Sequence, residues 1–98
     1  MKVVAVGKRP FVTAFRLVGV QGVEVDTPEA MLDTVNRLFR TDGVGLVLLG
    51  SDLSTPVRLK LSELRKKHAV PLIYEIAAPG AQVEEAEYSK VLRAMLGV

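Results

Sequence analysis

Two short, almost wholly apolar runs, each ended by a glycine, constrain this sequence more than any other feature. Residues 2–6 carry the first run, which ends at Gly7, and residues 44–49 carry the second, which ends at Gly50. Neither run alternates apolar with polar residues, and both are short, which is typical of strands that are covered on both faces. Sheets covered on both faces are mostly parallel, and parallel strands need crossover connections, usually helices.

Two further segments, each less uniformly apolar, also have strand patterns. Residues 72–76 form an apolar strand that follows Pro71, and the segment Val23-Glu24-Val25 after Gly22 forms a shorter one. The alternation of the shorter strand indicates a half-exposed position at the edge of a sheet. The sequence therefore predicts four strands.

The segments between these strands have the three- and four-residue apolar spacing of amphipathic helices. Pro10 opens the first helix and Gly19 ends it, whereas Thr27 caps the second and Gly43 ends it. The third helix begins between Ser51 and Thr55 and carries an apolar stripe formed by Leu53, Val57, Leu61 and Leu64.

Strand and helix alternate four times in fewer than 100 residues, which predicts an α/β fold with right-handed crossovers over a four-stranded parallel sheet. The doubly wound order 2-1-3-4 of receiver and flavodoxin domains places the two most apolar strands at the centre. We expect a Rossmann-like, receiver-like domain at residues 1–76. Residues 77–98 then form a hinge, at residues 77–82, and a C-terminal helix from Val83 or Glu84 to Leu96.

Composition excludes several classes of protein. No run approaches the roughly 18 apolar residues that cross a bilayer, and the N-terminus begins as a strand rather than as a signal peptide. The chain has no cysteine and one histidine, His68, so a disulfide, thiolate catalysis and a cysteine-ligated metal site are excluded. These features fit a protein of the reducing cytosol.

The loops that follow the two central strands carry no recognisable catalytic or phosphate-binding motif. The first has one glycine followed by Lys8 and Arg9, instead of a glycine-rich phosphate loop or the acidic pair of a phosphorelay receiver. In the second loop, Asp52 lies two residues beyond Gly50, and we interpret it as a helix cap rather than as a phosphate acceptor. The sequence predicts no catalytic, cofactor or metal site.

Two charge clusters have a simple explanation in the helix dipole. Glu84, Glu85 and Glu87 fall in the first turn of the last predicted helix, where negative charge is favoured. The basic cluster at residues 65–68 falls where the third helix ends, and cations are favoured there.

Several short segments, taken in order, resemble the F subunit of the V/A-type rotary ATPase of archaea and bacteria. They cover nearly the whole chain: Val3-Val4-Ala5-Val6-Gly7, Phe15-Arg16-Leu17-Val18-Gly19-Val20, residues 45–49, residues 70–76 and the closing residues 93–98. The resemblance implies a non-catalytic component of the central rotor stalk with no cofactor. Such a component binds the coiled-coil D subunit of the stalk and lies beside the ring of catalytic and regulatory subunits.

The host enzyme couples ATP synthesis or hydrolysis to proton or sodium transport, and the resemblance places the chain in the cytoplasm at the periphery of the membrane-bound complex. It favours partner contacts by the stripe of the last helix, which consists of Tyr88, Val91, Leu92 and Met95. From periodicity alone, that stripe also fits packing against the chain's own core. A second candidate contact is the segment that contains Phe15, Arg16 and Val20.

Two other interpretations stay open. Residues 43–76 also resemble the strand–helix–strand part of the kink-turn-binding ribosomal family, which would make the chain an RNA-binding protein. Those proteins begin with a helix, however, and a net charge of +2 is weak for phosphate contacts. The third interpretation is a stand-alone receiver-like regulator, against which the missing acidic pair argues. We expect no nucleic-acid partner and no insertion into a membrane.

Overall fold

One parallel sheet organises residues 2–77, the part of the chain that the computed structural model describes. Its strands are β1 (Lys2–Gly7), β2 (Gln21–Glu24), β3 (Val44–Gly50) and β4 (Leu72–Ile76). They lie in the order β2-β1-β3-β4, and every neighbouring pair is parallel. The predicted α/β fold, the order 2-1-3-4 and the central position of the two most apolar strands are confirmed.

The helices follow the predicted crossovers with three differences in extent, one of which is that the second helix ends at Phe39, four residues before the predicted end at Gly43. They are α1 (Arg9–Arg16), α2 (Pro28–Phe39), α3 (Ser51–Ser54) and α4 (Arg58–Lys67). Thr27 caps α2 as predicted, because its Oγ1 accepts the backbone N–H of Ala30 at 3.1 Å. The first helix ends earlier than predicted, and a turn carries the chain from there to Gly19, which adopts a positive φ of 88°.

The third predicted helix is not continuous. Residues Thr55–Val57 form a 3-10 turn that separates α3 from α4. Pro56 lies inside this turn, where an α-helix would bring its ring against the carbonyl four residues earlier and would lack one N–H donor. The tighter 3-10 geometry accommodates the proline, and the apolar residues on either side still reach one core.

The second strand begins and ends earlier than predicted. The sequence places it at residues 23–25, whereas the structure pairs Gln21–Glu24 with β1 and leaves Val25 just past the strand. The backbone N–H of Val25 still donates to the carbonyl of Gly7 at 2.9 Å. The predicted half-exposed edge position of this strand is confirmed.

Two cores lie on opposite sides of the sheet. The packed face carries Val4, Val6, Val47 and Leu49, which meet residues of α2, α3 and α4. The open face carries Val3, Ala5, Leu46 and Leu48, and among residues 2–77 it is covered by α1, which packs mainly on β1 and β2. The predicted hinge beyond Ala77, the predicted last helix and the expected domain division at residue 76 concern residues outside the described part of the chain.

Candidate docking surface

The place where doubly wound sheets bind their ligands is occupied by the protein itself. That place is the crevice at the carboxyl ends of the central strands, here between Gly7 and Gly50. The ring of Phe11 lies against both glycines, because a Cβ added at Gly7 would come within 2.7 Å of the ring and one at Gly50 within 3.5 Å. Lys8 Nζ and Asp52 Oδ2, from the loops on either side, lie 3.8 Å apart. A buried ring and an ion pair therefore fill the usual ligand crevice.

The interpretation of Asp52 as a helix cap is wrong. Strand β3 continues to Gly50 and α3 begins directly at Ser51, so the cap position falls on the glycine and Asp52 lies in the first turn. Its Oδ1 accepts the backbone N–H of Leu53 at 3.0 Å, and its other oxygen faces Lys8. Asp52 thus joins the two loops beside the crevice.

The structure brings together Phe15, Arg16 and Val20, which the sequence singles out for partner contacts. Phe15 is fully buried with its ring centroid 4.9 Å from that of Phe11, and Val20 is buried in the same core. Arg16 reaches the surface, where its guanidinium donates to the carbonyl of Gly22 at 3.1 Å and to Glu24 Oε1 at 3.3 Å. Only Arg16 of the three therefore presents its side chain to solvent.

The residues between Arg16 and Gly19 are the exposed apolar part of this segment. Leu17 is 82% exposed and Val18 is 41% exposed, on a turn that buried Phe15 and Val20 hold at both ends. Both residues belong to the segment Phe15-Arg16-Leu17-Val18-Gly19-Val20 that carries the family resemblance, but neither was predicted to make a partner contact. Their position between a helix end and a glycine was the available signal, because a turn there projects its side chains outward.

Apolar side chains also remain exposed on the open face, at the edge far from α1. In the register of the sheet, Val3, Leu46 and Leu72 form one row across β1, β3 and β4. Tyr74 follows on the same side of β4, since side chains alternate along a strand. Leu72 is 65% exposed and Tyr74 is 55% exposed, whereas Val3 and Leu46 are half-buried. We call Val18, Val3, Leu46, Leu72 and Tyr74 the open strip.

A shallow cavity lies at one end of the open strip, and a group of charged side chains lies at the opposite edge of the sheet, on β2 and α1. The cavity, of about 270 Å³, lies at one end of the strip and is lined by Lys2, Val3, Val18, Gly19, Val20 and Gln21. The solvent side of α1 carries Arg9 and Arg16, and both face the carboxylate of Glu24, at 3.8 and 3.3 Å. Of these three cations, Lys2 therefore lies beside the strip, because Arg9 and Arg16 are paired at the β2 edge.

Glu75, a residue of β4, joins this strand to the helices of the packed face. Glu75 accepts hydrogen bonds from Ser54 Oγ at 2.8 Å and from Arg58 Nη2 at 2.9 Å, and Arg65 lies 3.9 Å away. Burial alone would raise the pKa of Glu75, but the hydrogen bonds from Arg58 and Ser54 and the charges of Arg58 and Arg65 outweigh it and lower that pKa. Glu75 thereby ties β4 to α3 and α4.

The basic cluster at residues 65–68 lies at the end of α4, as predicted. Helix α4 ends at Lys67, and the ring of His68 stacks on Phe39 with centroids 4.8 Å apart. Arg65 donates to the carbonyl of Ile73 at 3.1 Å. Arg65 and His68 of this cluster therefore make contacts within the fold, at the end of α4.

Neither a metal-binding group nor a membrane-crossing helix is found among residues 2–77. This part of the chain contains no grouping of three or more histidine, cysteine, aspartate or glutamate residues that could hold a metal ion. Its helices are too short or too polar to cross a bilayer. The feature of the described residues that the fold alone does not account for is the open strip.

Comparison with known families gives one match. The model of a family described as "ATP synthase (F/14-kDa) subunit" matches residues 3–95, which is nearly the whole chain. The matched range contains the open strip and extends well past Ala77. No curated protein sequence matches the chain.

Proposed function

Because the chain belongs to the family of ATP synthase (F/14-kDa) subunits, which the segments of its sequence also resemble, we propose that it is a non-catalytic F subunit of the central stalk. In that role it binds the coiled-coil D subunit of a V/A-type ATP synthase or ATPase and helps couple ATP turnover to proton or sodium transport. It lies in the cytoplasm, at the periphery of the membrane-bound complex and beside the ring of catalytic and regulatory subunits.

The observation that carries this proposal is the contrast between a filled crevice and an exposed apolar surface. Phe11 and the Lys8–Asp52 pair occupy the place where this class of fold binds substrates and nucleotides. Large apolar side chains are exposed instead on the open strip, and exposed apolar patches are typical of protein–protein contacts. A protein that acts by docking needs such a surface and needs no catalytic group.

The fold suits a part that must transmit force without deforming. Its two central strands are buried on both faces, and Glu75 ties the edge strand β4 to α3 and α4. The turn at Leu17 and Val18 is held by buried residues at both ends. A surface carried by such elements keeps its shape when a partner pulls on it.

The family match favours the rotor component over the two alternatives that the sequence left open. A kink-turn-binding protein needs a surface for phosphate contacts, and a net charge of +2 is weak for such contacts. A receiver-like regulator needs an acidic pair beside the crevice, and the loop after β1 carries Lys8 and Arg9 there. No observation in the described residues favours either alternative.

The predicted contacts in the last helix stay a prediction, since Tyr88, Val91, Leu92 and Met95 lie outside the described residues. If that stripe contacts the D subunit, a charge at Leu92 weakens the complex, because an ionised carboxylate is costly to bury in an apolar contact. Ala86→Asp introduces the same charge on the side opposite the predicted stripe and is the matched control.

Co-expression with the D subunit of the same complex tests the proposed function. We expect the full chain to co-purify with it as a stable pair with one copy of each. Leu92→Asp should reduce the yield of the pair relative to Ala86→Asp, with unchanged circular dichroism of the isolated chain. Failure of the unaltered chain to form any pair would contradict the proposed function, and RNA binding at physiological salt would promote the ribosomal alternative.

A further inference from the structure

We draw no further inference here: the strongest candidate, the open strip with the exposed side chain of Val70 just before β4, is an apolar surface, and nothing among residues 2–77 shows whether a partner or residues 78–98 of the same chain cover it.

Discussion

The two faces of the sheet are built from the same strands but differ in how they are covered. On the packed face, Leu49 and Val47 are fully buried beneath α2, α3 and α4. On the open face, Leu72 and Tyr74 remain more than half exposed, because α1 is the one described helix on that side. We therefore expect the uncovered part of the open face to contribute less to stability than the packed face, which leaves it available for the proposed docking.

The difference follows from the size and position of α1. Helix α1 packs mainly on β1 and β2, and a helix with its side chains is about 10 Å across, or about two strand separations, so β4 lies beyond it. Phe11 and Val12 of α1 pack closely on the strands. A side chain at Gly7 or Gly22, directly beneath them, would clash with them. The close approach seals one half of the open face and leaves the row of Leu46 and Leu72 uncovered among the described residues.

The largest expected effect on stability lies on the packed face. Leu49→Ala removes a fully buried side chain from the centre of the sheet and leaves a cavity. We expect the free energy of unfolding to fall by about 2–5 kcal/mol, measured by urea denaturation. A loss below about 1 kcal/mol would show that this face does not carry the stability of the domain.

Gly7→Ala should have the next largest effect, because the new methyl group meets the ring of Phe11 at 2.7 Å. We expect a loss of about 1–3 kcal/mol in the free energy of unfolding. The control is the double variant Gly7→Ala with Phe11→Leu, whose cost should be smaller than the sum of the two single costs. Additive costs would contradict the contact.

Glu75→Gln tests the bond between β4 and the packed face. The substitution removes the charge that Arg58 and Arg65 face, and we expect a loss of about 1–2 kcal/mol at neutral pH. Glu63→Gln, at an exposed position of α4, is the matched control and should change stability by less than about 0.5 kcal/mol.

The pKa of Glu75 also predicts a pH dependence. Because that pKa is lower in the folded protein than in the unfolded chain, the stabilisation is complete above the ordinary glutamate pKa of about 4.3 and is lost as the pH falls through the folded value. In acid, the unaltered protein should therefore lose its advantage over Glu75→Gln. A constant difference between the two proteins down to low pH would contradict this assignment.

The smallest effect is expected on the open face. Leu72→Ala shortens a side chain that is already 65% exposed, so we expect a change within about 0.5 kcal/mol in the stability of the isolated chain. Thermal unfolding of Leu72→Ala and of Leu49→Ala, measured side by side, compares the stability that each face contributes. Equal losses would show that Leu72 is as well covered as Leu49.

Local patterns predicted the elements because their causes are local. The glycine-ended apolar runs gave β1 and β3, and the cap at Thr27 with Pro28 gave the start of α2. Pro56 interrupts the third helix for an equally local reason, but the sequence alone did not decide whether the chain would break there.

The open strip could not be predicted, because exposure on a sheet depends on how many helices reach each face. In the sequence, Leu72 and Tyr74 belong to an apolar strand that is indistinguishable from a buried one. Exposure was equally unpredictable in the segment from Phe15 to Val20. The side chains of these two predicted contact residues are buried, whereas the residues between them are exposed. Which side of a turn faces solvent is fixed only when the elements pack together.

Site-specific photo-crosslinking reports which face of the sheet contacts the D subunit. A photoreactive phenylalanine analogue is placed at Leu72 in one variant of the full chain and at Leu59 in another, and each variant is irradiated with the D subunit. Leu72 is 65% exposed and Leu59 is 84% exposed, so both are accessible, and they lie on opposite sides of the sheet. We expect a crosslinked pair from position 72 and none from position 59. Crosslinking from position 59 alone, or equally from both, would contradict this expectation.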